Sequence, residues 1–221
     1  MDLDEVDLPP SSPVAAWAAL REGNRRFVEG RREHPNQDAD RRNQLTSGQR
    51  PFALVFGCSD SRVAAEIIFD RGLGDLFVVR TAGHVVDSGV LGSIEFGVTV
   101  LDVPLIVVLG HDSCGAVRST LEAHETGLMP GGYVRDLVER VTPSLLSARR
   151  AGGGQLEDVI EEHTRHTAAL IADRSGPIAE RIADGRCAIL GVCYTLDVGQ
   201  ARLISVLGDI ADEPAPARAA G

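Results

Sequence analysis

Two short segments carry the side chains in this sequence that are best suited to chemistry. Cys58–Arg62 reads Cys-Ser-Asp-Ser-Arg, and Gly110–Gly115 reads Gly-His-Asp-Ser-Cys-Gly. Thiolates and imidazoles are the ligands that zinc prefers, and a catalytic zinc ion has three protein ligands and one open position. His111 and Cys114 are three residues apart, so one tight loop can direct both at a single point, while Cys58 arrives from elsewhere. The two segments together therefore predict a zinc site.

Each segment lies between an apolar run and a helix-like stretch. The runs 52–56 and 103–109 are short and rich in Val, Leu and Ile, which is typical of strands that are covered on both faces. The stretches 64–70 and 116–124 that follow are predicted helices. In an open α/β sheet, ligands bind at the edge where parallel strands pass into helices, so we expect both segments to lie at that edge.

The rest of the chain predicts further elements of one α/β domain. Ser12 followed by Pro13 is a good helix start, and the apolar spacing after it indicates an amphipathic arm that covers its own core or that of a partner. The polar stretch 31–48 is expected to be irregular. Further strands are predicted at 75–80, 187–194 and 201–206, and further helices at 89–101, 133–149, 155–174 and 177–184. We predict a single domain over 1–221, with flexible tails at 1–11 and 210–221.

Composition excludes several classes of function. The chain has 221 residues, 43% of them hydrophobic, and a formal net charge of −10. Nucleic acid and anionic membranes bind basic surfaces, so neither is an expected partner. The start of the sequence lacks the basic and apolar regions of a secretory signal, which predicts a cytoplasmic protein. Four cysteines in such a chain favour metal or catalytic use over disulfides, although Cys187 and Cys193 lie in an apolar strand and are predicted to pack as small hydrophobic residues.

These motifs resemble those of the β-class carbonic anhydrases, especially the actinobacterial members, and the similarity extends from about residue 14 to 208. The stretches that carry it include Val63–Asp70 and Pro104–Gly115. The resemblance implies a parallel sheet of four strands extended by an antiparallel fifth, flanked by helices. It implies one Zn²⁺ per chain on Cys58, His111 and Cys114, and an Asp60–Arg62 pair beside the metal. It also implies an obligate homodimer, often paired into a tetramer, in which N-terminal helices are exchanged and the substrate pocket lies at the interface.

The resemblance extends to residues of the substrate pocket. Gln49 and Phe77 match a glutamine and a phenylalanine of the plant-like members, Phe96 stands where those members carry a tyrosine, and Gly115 adjoins the metal ligands. Some bacterial relatives have a regulatory bicarbonate site built from Trp, Arg and Tyr. Arg80 and Tyr194 match two of these positions, but Val55 replaces the tryptophan, which favours the plant-like type.

The implied reaction is the hydration of CO2 to bicarbonate and a proton by zinc-bound hydroxide. Zinc lowers the pKa of bound water from about 15.7 to about 7. Asp60 would orient the hydroxide, and a bidentate bond from Arg62 would keep the carboxylate off the metal. Alternatively, Asp60 would bind zinc itself and close the site, a state favoured at low pH.

Two other functions remain open at this point. Asp60 could complete a non-catalytic, structural zinc site, although such sites usually have four Cys or His ligands. The same ligands would also suit a hydrolase acting on carbonyl sulfide or carbon disulfide. Among the other histidines, His84 is expected to be solvated or structural rather than a proton shuttle, and His163 to be packed or partly exposed; His34 and His124 are expected at the surface.

Overall fold

The computed structural model describes residues 9–210. The predicted tails therefore fall mostly on residues 1–8 and 211–221, which lie outside the described part. Ile210, the first residue of the predicted C-terminal tail, is 5% exposed and belongs to the hydrophobic core.

A five-stranded sheet with the order β2-β1-β3-β4-β5 forms the centre of the fold. Its strands are β1 Ala53–Cys58, β2 Leu76–Thr81, β3 Leu105–His111, β4 Ala188–Tyr194 and β5 Ala201–Leu207. The first four are parallel and β5 is antiparallel to β4. All residues of β1, β3 and β4 are buried, as their apolar runs predict for strands with both faces covered. The predicted fold class is confirmed.

Helices cover both faces of this sheet. Their bounds are α1 Pro13–Val28, α2 Ala39–Gln44, α3 Ala65–Ile68, α4 Ser88–Thr99, α5 Gly115–Thr126, α6 Val134–Arg150, α7 Leu156–Arg174 and α8 Gly176–Ala183. Alternate residues of β1 point to opposite cores: Val55 packs with α1 and α3, whereas Leu54 and Phe56 pack with α4, α7 and α8. A third cluster lies under α5 and α6 and includes Cys58 and Cys114.

The helix predictions are correct in outline and wrong in two places. The segment predicted to be irregular at 31–48 contains α2 and a 3₁₀ turn at Leu45–Ser47. No residue of α2 is buried, so it has no apolar stripe that a sequence pattern could reveal. The helix predicted at 64–70 is the single turn α3, because the chain leaves helical geometry after Phe69 and Asp70 adopts a left-handed φ of 46°.

The N-terminal helix α1 covers the core of its own chain. The Ser12 side chain accepts a hydrogen bond from the amide of Ala15, and Pro13 opens the helix. Trp17 and Leu20 are almost fully buried in the first core cluster. The sequence leaves open whether this arm covers its own core or that of a partner. In the structure of the single chain it covers its own core.

Candidate metal and catalytic site

Three potential metal ligands meet at the carboxyl edge of the sheet. Cys58 is the last residue of β1, His111 is the last residue of β3, and Cys114 immediately precedes α5. Because β1 and β3 are parallel neighbours, their ends lie side by side. The ligand atoms of the three residues all lie within 4.8 Å of one another, and all three residues are buried. They are the only such group of three or more His, Cys, Asp or Glu residues within 9–210.

The loop that carries His111 and Cys114 is fixed by the neighbouring strand. The Asp112 amide donates to the carbonyl of Tyr194 at 3.1 Å, and the Asp112 carboxylate accepts from the amide of Leu196 at 3.2 Å. Ser113 then turns the chain with a left-handed φ of 55°. These constraints hold the imidazole and the thiol on one loop at a fixed spacing.

The hydrogen bonding of His111 leaves one ring nitrogen free for a metal. Its Nδ1 lies 2.7 Å from the carbonyl oxygen of Asp112, and a carbonyl only accepts, so Nδ1 carries the proton. Nε2 is then the unprotonated nitrogen. It is buried and has no hydrogen-bond partner in the described residues. A buried imidazole lone pair without a donor is the arrangement that a metal ligand requires.

The two thiols differ in how readily they ionise. A hydrogen bond from the Cys114 thiol lowers the pKa of Cys58, and the backbone amides of Gly83 and Asp60 act in the same direction. The same contact with Cys58 raises the pKa of Cys114, against the opposing effect of the amides at the start of α5. The pair therefore loses its first proton more readily than an isolated thiol does. Since metal binding requires thiolates, this favours capture of a cation.

Asp60 and Arg62 form a bidentate ion pair on the same loop as Cys58. The Nε and Nη2 atoms of Arg62 donate to the two carboxylate oxygens at 2.9 and 2.8 Å, and the Arg62 amide adds a bond of 3.0 Å. The Arg62 guanidinium holds the pKa of the Asp60 carboxyl well below its usual range. Asp60 is therefore ionised, and Arg62 fixes its direction.

Arg80 supports this loop from the neighbouring strand. Its Nε donates to the carbonyl of Cys58 at 3.0 Å and its Nη2 donates to the carbonyl of Asp60 at 2.7 Å. Sequence reasoning associated Arg80 only with a regulatory bicarbonate site. Its supporting role has no sequence signal, because it depends on the parallel pairing of Gly57 with Arg80.

Three of the four predicted substrate-binding residues lie away from the metal ligands of their own chain. Gln49 lines a cleft of about 740 Å³ with Arg50, Phe52 and Asp75, where β1 and β2 begin. Since β1 rises about 3.3 Å per residue, that end lies roughly 16 Å from Cys58. Phe77 pairs with Leu54 near the same end, and its ring packs 6.1 Å from that of the half-exposed Phe96. Only Gly115 adjoins the ligands, and a β-carbon there would meet open space.

Two buried histidines stand behind the site. His84 is fully buried, and neither of its ring nitrogens has a hydrogen-bond partner in the described residues. Of the two alternatives expected for it, solvated or structural, its burial excludes the first. Its ring lies 4.5 Å from that of His163, which is packed as predicted. Burial lowers the pKa of His84 well below its usual value and that of His163 to about 4. Both imidazoles are therefore neutral near pH 7.

Comparison with known proteins identifies the family. The family model described as carbonic anhydrase matches residues 53–201. Carbonic anhydrase 2 of Mycobacterium tuberculosis is 60% identical over 206 residues, which cover 93% of this chain and all of that protein. The chain therefore belongs to the carbonic anhydrase family.

Solved structures place the fold in the β class of that family. The Coccomyxa β-carbonic anhydrase in complex with acetazolamide superimposes with a TM-score of 0.69 at 24% identity, covering 85% of this chain and 86% of that one. A tetrameric β-carbonic anhydrase of Sordaria macrospora gives a TM-score of 0.64 at 26% identity, covering 73% and 84%. No helix within 9–210 is long and apolar enough to cross a membrane.

Proposed function

We propose that this chain is a zinc enzyme that interconverts CO2 and bicarbonate. The observation that carries the proposal is the convergence of Cys58, His111 and Cys114 with an unpaired Nε2 on His111. Two thiols and one imidazole suit zinc better than the oxygen-preferring cations. The three protein ligands leave a fourth position for substrate or water, as a catalytic site needs. When bound, zinc supplies hydroxide near neutral pH by lowering the pKa of water.

Asp60 is the candidate for orienting the nucleophile. The Arg62 pair holds the carboxylate at the end of β1 in its charged form, where it can accept a hydrogen bond from the attacking oxygen and turn a lone pair of that oxygen towards CO2. The same pair opposes binding of Asp60 to the metal, because both carboxylate oxygens already accept from the guanidinium. We therefore propose that Arg62 keeps the site open.

A second copy of the chain is the proposed source of the remaining pocket residues. Gln49, Phe77 and Phe96 are gathered around the opposite end of β1 and β2, and Phe96 exposes 45% of its surface. These residues can serve the reaction only if that end faces the metal site of a partner. The tetrameric assembly of the Sordaria relative is consistent with a chain that functions as an oligomer. We propose a homodimer, paired into a tetramer, in which Gln49 donates to a substrate oxygen of the partner's site.

Stopped-flow CO2 hydration on protein with measured zinc content tests the proposed function. Activity that rises between about pH 6.5 and 9, and is lost when zinc is chelated, supports it. Cys58→Ala should lose both zinc and activity. Cys187→Ala removes an equally buried thiol far from the ligands and should retain both.

One zinc per chain without hydration at any pH would contradict the proposal. Turnover of carbonyl sulfide by that protein would then indicate a hydrolase, and no turnover of either substrate would indicate a structural zinc site.

A further inference from the structure

A chain of hydrogen bonds connects helix α7 to the sulfur of Cys58. The amide of Gly83 donates to Cys58 Sγ at 3.3 Å, and the carbonyl of the same residue lies 2.9 Å from Nε2 of His163. On its other side, the His163 ring has its Nδ1 2.9 Å from the hydroxyl oxygen of Ser144 on α6. Cys58 and His163 are far apart in sequence and meet through one residue, Gly83.

The proton positions along this chain follow from its chemistry. A carbonyl accepts only, so Nε2 of His163 carries the proton and donates to Gly83. Because the imidazole is neutral, Nδ1 is an acceptor, and the Ser144 hydroxyl donates to it. Every bond therefore has one direction, from Ser144 to His163 to Gly83, and the last donor in the series is the Gly83 amide facing the thiolate.

Gly83 cannot hold this geometry by itself. It adopts φ 66° and ψ 21°, a left-handed conformation within the 3₁₀ turn Ala82–His84 that follows β2. A β-carbon at this position would lie 2.6 Å from that of Ala116 on α5, so a larger residue does not fit. Glycine is the least constrained residue, and a fixed amide direction there requires an external anchor. His163, 2% exposed, is that anchor for the carbonyl side.

We propose that His163 is a positioning residue for the metal site, which fixes the Gly83 amide against the Cys58 sulfur. A hydrogen bond to a thiolate draws electron density from the sulfur, so Cys58 donates less to the metal and the metal remains a stronger Lewis acid. This matters here because two thiolates would neutralise the charge of a zinc ion. This inference rests on the proposed function only for the effect on catalysis. The hydrogen bond to Cys58 would change the properties of a bound metal even in a protein that does not turn over CO2.

Paired substitutions at His163 test the inference. Glutamine places its amide nitrogen where Nε2 lies, so His163→Gln keeps a donor to Gly83. Asparagine is one methylene shorter, so His163→Asn is polar but does not reach, and His163→Leu removes the donor altogether. Thr167→Val, one turn along α7 and equally buried, is the control for a substitution within that helix.

The primary readout is the cadmium-substituted protein. Loss of the hydrogen bond raises the energy of the sulfur lone pairs, so the cadmium–thiolate charge-transfer band should move to longer wavelength in His163→Asn and His163→Leu. We expect it to stay in place in His163→Gln and Thr167→Val. A sulfur that has lost this hydrogen bond is also protonated more readily, and protonation breaks its bond to the metal. Zinc transfer to a competing chelator should therefore be about 10-fold faster in the first two variants, the lower end of the effect of residues that support ligands.

The results separate this inference from the proposed function. Folded Asn and Leu variants with the parent's band and zinc-transfer rate overturn the positioning role, whatever the hydration activity. The expected shifts in a parent that does not hydrate CO2 would support the positioning role and contradict the proposed function. If His163→Leu does not fold, the Gln and Asn pair gives the result, and equal bands in that pair overturn the inference. A parent that binds no metal overturns both.

Discussion

At the residue scale, the site combines ligands with groups that determine their charge and direction. The His111 tautomer is set by one carbonyl, the Cys58 thiolate is stabilised by neighbouring donors, and Asp60 is held by Arg62. Apart from the Cys114 thiol, none of these partners is a metal ligand in the proposed open site. The chemistry expected of the ligands therefore depends on groups that act through them.

Of the groups that act through the ligands, the Asp60 carboxylate is the one whose charge we expect to affect the rate of CO2 hydration most. Asp60→Asn keeps the size of the side chain but cannot form the ion pair or accept as strongly, so we expect kcat/KM to fall by about 100-fold, the lower end for a positioned acid–base group. Zinc content should not change, because Asp60 is not a ligand in the open site. Stopped-flow hydration and metal analysis measure both quantities.

Ser61→Ala is the matched control, since Ser61 is exposed on the same loop. Equal hydration rates in Asp60→Asn and the parent would remove Asp60 from the proposed mechanism.

At the scale of elements, α1 is held to the sheet by polar as well as apolar contacts. Asp70, which follows α3, accepts from Arg26 Nε at 2.7 Å and from the amides of Glu33 and His34 at 3.0 and 3.1 Å. The Asp70 side chain is 1% exposed and that of Arg26 is 11% exposed. The cluster ties α1 and the segment after it to the end of α3.

Asp70→Asn tests the contribution of this buried ion pair. Asparagine tolerates the left-handed conformation at this position, so the substitution removes the charge without a backbone penalty. We expect the free energy of unfolding to fall by about 3 kcal/mol, because the Arg26 charge is left partly buried without its closest partner, the one buried carboxylate that it contacts. Urea unfolding measures the change.

Glu22→Gln removes an exposed carboxylate that pairs with the arginines of α1 and should leave the stability almost unchanged. A similar loss in both variants would show that burial of the Asp70 pair is not the cause.

The parts of the fold that could be predicted from sequence are those with a strong local pattern. The runs before Cys58 and His111 are apolar enough to identify β1 and β3, and their shared edge follows from parallel pairing. The polar helix α2 has no such pattern. The contact between His163 and Gly83 joins residues 80 positions apart, and Arg80 acts through strand register. Such contacts depend on tertiary packing, which one sequence does not reveal.

At the scale of the whole molecule, two neutral imidazoles in the interior make stability depend on pH. The pKa of His163 is lowered to about 4 by burial, whereas in the unfolded chain it is about 6.5. The unfolded state therefore binds more protons between these values, and stability should fall as the pH decreases through that window. For His163 alone the loss is about 2 kcal/mol at pH 5.

Urea unfolding at about pH 7.5 and 5, with a chelator present so that metal binding does not contribute, measures this dependence. His163→Gln should show a smaller loss than the parent, since glutamine does not titrate. An equal loss in the two proteins would mean that His163 does not cause the dependence.

The proposed shared pocket predicts complementation between inactive chains. Gln49→Ala should lower kcat/KM by about 100-fold through loss of a donor to substrate, and Cys58→Ala should abolish activity. In a mixed dimer, the intact Gln49 of one chain faces the intact Cys58 of the other, so one of the two sites is complete. Refolding the two variants together should therefore restore activity above the mean of the separate preparations.

Activity equal to that mean would contradict a pocket shared between chains. Two Cys58→Ala preparations refolded together serve as the control and should remain inactive.

The close approach of α7 to β3 has a consequence for how this sequence can evolve. A β-carbon at Gly110 would overlap the hydroxyl of Thr164, the residue next to His163. Any enlargement at position 110 therefore requires a smaller residue at 164, or else α7 moves away together with its histidine. Among descendants of this sequence, we expect substitutions at the two positions to occur in pairs, so that the history of one site constrains that of the other.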